Sequence, residues 1–169
     1  ALFSAWIPLI EAIGVKNRFK AHLAIYPPCL VEMDLIEFSG APIHILIGEN
    51  DNWVSADACL DLTDALKEEG IDINITIYPD AHHGFDRAGP PQVEEKGYST
   101  IDCNFKMRSD GAILMNILDI PMVTPFRQKL ALAWCAERGT TIGGNPKARQ
   151  ASFEFARTFM NEHLKNKKN

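Results

Sequence analysis

No apolar run approaches the ~18 residues that a membrane-spanning helix needs, so the sequence contains no candidate span. There is no excess of basic charge either. Lys and Arg number 17 against 22 Asp and Glu, a formal charge of −5, which argues against a nucleic-acid footprint. The only basic cluster is the tail Lys165, Lys167 and Lys168, read most simply as a solvated, frayed terminus. No C-x-x-C or similar spacing joins Cys29, Cys59, Cys103 and Cys135, so a structural zinc site is not expected. The opening ALFSAWIPLIEAIG lacks both a Met and a charged n-region. It is too short and too acidic for a signal peptide and reads as the interior of something longer, with any targeting information upstream. No repeat or low-complexity segment is present. What remains is a 169-residue chain of ordinary globular composition, 46% apolar and 23% charged, long enough for one domain with a sizeable core.

Within that chain, Ile71–Asp86 (IDINITIYPDAHHGFD) organises the rest. Ile71, Ile73, Ile75 and Ile77 alternate with Asp72, Asn74, Thr76 and Tyr78, the period of a half-buried strand. Pro79 should end it, because proline cannot donate to a ladder. His82, His83 and Gly84 follow directly. Before it, Pro42–Gly48 (PIHILIG) is nearly continuous aliphatic sequence, the habit of a parallel strand buried on both faces. His44 inside that run reads as a satisfied core histidine. The turn-rich GENDNWVSADA comes next, then a helix from about Ser55 to Glu69 with Cys59, Leu62, Ala65 and Leu66 as its apolar face, stopped by Gly70. Phe19–Tyr26 is an earlier strand closed by Pro27 and Pro28. Strand, connection, strand, helix, strand is the layout of a parallel α/β sheet, and the alternating strand should lie nearer its edge.

The flanks are less regular. Ala1–Ile13 predicts a helix that Pro8 kinks or divides and Gly14 stops. Leu30–Gly40 reads as a short helix or an irregular connection. From Arg87 to Pro121 the pattern breaks. Gly89-Pro90-Pro91 opens a loop, and Tyr98–Met107 and Ala112–Leu118 flank Ser109-Asp110-Gly111 like a hairpin. A stretch this long is either a lid or an ordered excursion. Pro125–Arg138 predicts a helix with Leu130, Ala133 and Trp134 at helical spacing, and Thr140–Asn145 a loop. Asn145-Pro146 fits an N-cap followed by proline at the first helical position. The last helix should run to about Leu164 and bury Ala148, Ala151, Phe155 and Phe159.

In a parallel sheet the loop carrying Glu49, Asn50 and Asp51 and the loop carrying His82 and His83 emerge on the same edge. A carboxylate from the first can therefore reach an imidazole on the second. Accepting the Nδ1 proton fixes the tautomer and stabilises the imidazolium formed during proton transfer. That is the orienter-and-base pair of an enzyme with an activated nucleophile.

GENDNW followed by YPDAHHGFD, with the acid and base segments 32 positions apart and a strand between, resembles the dienelactone hydrolase family. FKAHLAIYPPC is similar to that family's strand before the acid loop. The resemblance spans roughly Ala1 to Asp86, and the RG…GGN segment to the C-terminus resembles extended members. It implies a parallel-sheet α/β-hydrolase fold, present as its carboxyl-terminal portion only, in a single partial domain. Residues 1–86 would form the sheet core and residues 87–169 a C-terminal hairpin and helical extension. It also implies Asp51 as the acid and His83 as the base of a nucleophile-His-Asp triad. His82 competes for the base, and Glu49 and Asn50 are better read as turn residues. Trp53 and Phe85 either wall the pocket or simply pack. The expected activity is cleavage of small carboxylic esters or lactones, with no cofactor.

The Gly-x-Ser/Cys-x-Gly elbow that should precede Asp51 in that fold is missing. Ser4 lacks flanking glycines, and Pro-Pro-Cys29-Leu is no elbow. The expectation is thus a nucleophile upstream of Ala1 and an inactive isolated chain, one that self-associates through its exposed sheet edge. The rival expectation is a non-catalytic α/β module. Four cysteines alone allow three pairings or four buried thiols. Cys29 lies just past one strand and Cys59 near the start of the helix after its neighbour, while Cys103 and Cys135 share the extension. The pairs 29–59 and 103–135 are therefore expected, resembling a secreted or periplasmic branch of the family; with four thiols a cytoplasmic location would follow.

Overall fold

The computed structural model describes residues 1–115 and 118–165. The chain runs from a 3-10 turn at Leu2–Ser4 into α1 (Ile7–Ala12), β1 (His22–Ile25), β2 (Val31–Met33), β3 (Ile43–Gly48), α2 (Ala56–Glu68) and β4 (Ile73–Tyr78). It continues through β5 (Gln92–Ser99), β6 (Phe105–Met107), β7 (Ile113–Leu114), α3 (Pro125–Cys135), β8 (Glu137–Ile142) and α4 (Pro146–Leu164). A three-stranded parallel sheet in the order β1-β3-β4 forms the centre. The continuously apolar β3 takes the middle position, with Ile43, Ile45, Leu46 and Ile47 all buried. The alternating β4 lies at an edge, as its half-polar sequence requires.

Helix α2 connects β3 to β4. The Ser55 hydroxyl accepts from the Ala58 N–H at 3.1 Å and so caps the first turn; Gly70, at φ +79°, follows the last. Cys59 and Leu66 turn inward as expected, but Ala65 is exposed and Thr63 is buried in its place. Thr63 is tolerated there because its hydroxyl donates to the Cys59 carbonyl at 2.7 Å. Trp6, Leu2, Ala5 and Cys59 close the main core against the sheet. Pro8 sits in the first turn of α1, where its missing N–H costs nothing. The break in the N-terminal helix falls before it.

Expectations for the connecting segments are corrected. Leu30–Gly40 contains β2, a strand that pairs in parallel with β6 and leaves β6 to pair with β7 as the hairpin. That hairpin is shorter than Tyr98–Met107 and Ala112–Leu118, because Tyr98 belongs to β5; Asn116 and Ile117 of the second arm lie outside the described residues. Glu137–Ile142 is neither helix end nor loop but β8, antiparallel to β5. Gln92–Ser99 and Glu137–Ile142 carry little apolar alternation because their ribbon is largely solvated. Among the described residues the 87–121 stretch carries three strands, β5, β6 and β7. Helix α3 turns Ala131 inward, whereas Leu130, Ala133 and Trp134 face outward. On α4, Asn145 caps with its side chain accepting from Lys147 and Ala148 N–H. Ala148 and Phe159 are buried and Phe155 half-buried, but Ser152 replaces Ala151 as the inward residue. The tail lysines Lys167 and Lys168 lie outside the described residues.

Disulfides join Cys29 to Cys59 and Cys103 to Cys135, the pairs expected. The first ties the segment after β1 to α2, and the second ties α3 to the segment before β6. Among the described residues no helix is long and apolar enough to cross a membrane.

Candidate active site

β1, β3 and β4 run parallel, so their carboxyl ends release three segments on one edge: Tyr26-Pro27-Pro28, Glu49–Trp53 and Pro79–Asp86. Two of these loops touch through their backbones. Glu49 N–H donates to the Tyr78 carbonyl and Asn50 N–H to the Ala81 carbonyl, each at 2.9 Å. Gly48 allows that approach. A Cβ there would stand 2.3 Å from the Ala81 carbonyl oxygen, a separation no side chain survives without backbone movement.

Seated this way, Asp51 and His83 meet. The Asp51 Oδ2 lies 2.9 Å from His83 Nδ1. Because a carboxylate only accepts, Nδ1 carries the proton. The other oxygen, Oδ1, accepts from the backbone N–H groups of Trp53 and Val54, both at 3.0 Å. The Asp51 side chain is fully enclosed, while the His83 side chain keeps 16% of its surface open. The carboxylate thus has three donors and one orientation. The imidazole has one fixed edge, and its Nε2 makes no hydrogen bond among the described residues.

The neighbouring residues sort themselves by contact. His82, the competing candidate, points its Nδ1 at the Asn50 carbonyl, 2.9 Å away, and ties the base loop to the acid loop. Glu49 Oε2 accepts from the Asp80 N–H at 3.1 Å, the turn role expected of it. Phe85 is completely buried against Tyr26 and Tyr78, so it packs. Trp53 lies against the imidazole, with ring centroids 4.8 Å apart.

Tyr26 was not anticipated. Its ring centroid is 4.4 Å from that of His83, and its hydroxyl donates to Asp86 Oδ1 at 3.3 Å. Burial first, then the Asp86 charge, pushes its phenol above the ordinary value. Its φ is +41°, a left-handed conformation that costs a bulky L-residue about 1–3 kcal/mol. The signal available in the sequence was position alone: a tyrosine at the carboxyl end of the strand preceding the acid strand.

Other candidate groups lie elsewhere. His44 Nε2 meets Thr76 Oγ1 at 2.9 Å under Phe155, a satisfied interior histidine. Cys29 is held in a disulfide and offers no thiolate. Ser4 Oγ is 2.9 Å from His22 Nδ1, but His22 opens β1 at the end opposite Tyr26. No group of three or more His, Cys, Asp or Glu side chains among the described residues is arranged to hold a metal ion.

A parallel α/β sheet that presents a buried carboxylate on an imidazole Nδ1, above the carboxyl ends of its strands, is consistent with an α/β-hydrolase-like fold. The model of the dienelactone hydrolase family matches residues 4–106, well over half of the chain and both loops of the site. The chain belongs to the dienelactone hydrolase family. No curated protein and no solved structure matches it.

Proposed function

We propose that this chain carries the acid and the base of a hydrolase that cleaves small carboxylic esters or lactones. The observation that carries the reading is the 2.9 Å contact between the enclosed Asp51 carboxylate and His83 Nδ1, with Nε2 left unengaged. The reading assigns the chain to the carboxyl-terminal portion of the hydrolase fold and puts a Ser or Cys nucleophile upstream of Ala1. That nucleophile attacks the ester carbonyl while His83 Nε2 takes its proton. The tetrahedral intermediate collapses as the imidazolium returns the proton to the leaving oxygen, leaving an acyl-enzyme. Water, deprotonated by the same Nε2, then releases the acid. Asp51 holds the tautomer and offsets the charge that appears on the ring. No cofactor enters these steps. Two disulfides favour an oxidising, extracytoplasmic setting.

Without a nucleophile the isolated chain should not turn over ester, since removing one costs on the order of a millionfold. The absence of an elbow before Asp51 also favours a second reading, a non-catalytic α/β module. Reading the coding sequence upstream of Ala1 and assaying its product on an ester and lactone panel separates the two. A Gly-x-Ser/Cys-x-Gly after a strand, together with hydrolysis, supports the enzyme. A start codon near Ala1 and an inert product support the module.

A further inference from the structure

The imidazole of His83 is fixed by Asp51 along one edge only, and a single hydrogen bond leaves a ring free to swing about the Nδ1–Oδ2 line. Two aromatic side chains from two other segments meet it. Tyr26, at the end of β1, stands with its ring centroid 4.4 Å from the imidazole at an interplanar angle of 53°. Trp53, two residues past Asp51, stands at 4.8 Å and 42°. Both are ordinary tilted aromatic contacts. Both braces stand on anchored positions. Tyr26 is tethered through its hydroxyl to Asp86 and packs on the buried Phe85. The Trp53 backbone N–H donates to Asp51, and its carbonyl accepts from both the N–H and the hydroxyl of Thr100.

The backbone at Tyr26 supplies an independent sign. A tyrosine directly before a proline belongs in extended conformation, yet its φ is +41°. Strain of this sort persists where surroundings impose it, and here it delivers the ring onto the imidazole. The Cys29–Cys59 disulfide begins three residues after Tyr26 and ends six after Trp53, so it joins the two segments that supply the rings.

We propose that Tyr26 and Trp53 are positioning residues that brace the His83 imidazole in line with Asp51, and that the Cys29–Cys59 disulfide keeps the two braces at their working separation. Oxidation of that pair then sets how firmly the base is held. The inference rests on the acid–base reading of Asp51 and His83, and the same spectrum tests the two separately.

The experiment follows the far-downfield Nδ1 proton of His83 by NMR in the chain itself, measuring its exchange with water in the parent and in folded variants. A ring contact of this type shifts an opening equilibrium by roughly two- to tenfold. Exchange should therefore quicken by that factor in Tyr26→Leu and in Trp53→Leu, and by less in Tyr26→Phe, which keeps the ring against His83 and Phe85 but loses the Asp86 tether. Replacing Cys29 and Cys59 by Ser should quicken it as well, whereas replacing Cys103 and Cys135 should not. Parent rates in both leucine variants would overturn the brace, and equal effects of the two cysteine pairs would overturn the role of the disulfide. Absence of the downfield proton in the parent would instead sink the acid–base reading itself. If either leucine variant fails to fold, nuclear Overhauser contacts in the parent decide. Contacts from the His83 ring protons to both Tyr26 and Trp53 are expected, and absence of either overturns the proposal.

Discussion

Asp51→Asn is the substitution that most sharply separates a working carboxylate from a merely buried one. The shapes of the two side chains match, so the amide oxygen can still accept from the Trp53 and Val54 N–H groups. The amide nitrogen then faces His83 Nδ1, where the carboxylate oxygen stood at 2.9 Å. Two donors cannot share that contact, so the imidazole must move its proton to Nε2 and accept through Nδ1. Three hydrogen bonds to a charged group become neutral ones, a loss of about 1 kcal/mol each. Relief from enclosing a full charge offsets part of it. The net is a loss of about 1–3 kcal/mol, or roughly 3–10 °C in melting temperature for a chain of this size. Long-range proton–nitrogen correlation spectra report the tautomer directly, and calorimetry reports the melt. A protonated Nδ1 in both proteins, with equal melting temperatures, would refute the reasoning.

Further outcomes follow from the same structure. Ellman titration of the denatured, unreduced protein should find no free thiol. Replacing Cys103 and Cys135, which close a loop of 32 residues, should cost about 3.7 kcal/mol by chain entropy, read from denaturant melts; four free thiols would contradict both pairings. Gly48→Ala, whose new Cβ would sit 2.3 Å from the Ala81 oxygen, should force the acid and base loops apart, measured as loss of the downfield His83 proton; retention of that signal counts against the close approach. His22 and His44 are both held below the ordinary imidazole value, first by burial, with the Lys67 charge adding to it at His44. As pH falls below about 6.5, the unfolded chain therefore takes up these protons first, and their contribution, intact above that pH, is progressively lost. Melting temperature should drop between pH 7.5 and 5.5, and less steeply in His44→Gln. Finally, β1 and β4 are the two edges of the central sheet, and unpaired edges invite pairing. Sedimentation should show self-association of the isolated chain, and a strictly monomeric species would count against it.

The legible parts of the chain were those whose physics is local. An unbroken aliphatic run fixed β3 in the centre, strict alternation and Pro79 bounded β4, and Ser55 and Gly70 framed α2. Two loops at adjacent strand ends then put Glu49, Asn50 and Asp51 within reach of His82 and His83, and the resemblance to the dienelactone hydrolase family singled out Asp51 and His83, the pair that meets. The β5–β8 ribbon escaped notice because five of the first six residues of β5, Gln92 to Lys96, face solvent. Such a strand owes its existence to a partner some forty residues on, not to its own pattern. β2 is three residues long, too short for a period to register. On α3 the spacing of Leu130 and Trp134 was helical, but the Cys103–Cys135 bond and Ala131 set which side turned inward. Tyr26 was hidden for a different reason: its importance lies in a strained backbone angle, which leaves no compositional trace beside two prolines.

The central claim is that His83, oriented by Asp51, moves the proton in ester cleavage. Its most direct test is the turnover number of the gene product, translated from its own start codon, on a carboxylic ester, compared with the His83→Ala protein at equal concentration. The account predicts a loss on the order of a millionfold, down to residual binding effects, with Asp51→Asn falling by about 10⁴. Turnover within a few fold of the parent in a folded His83→Ala protein would contradict it.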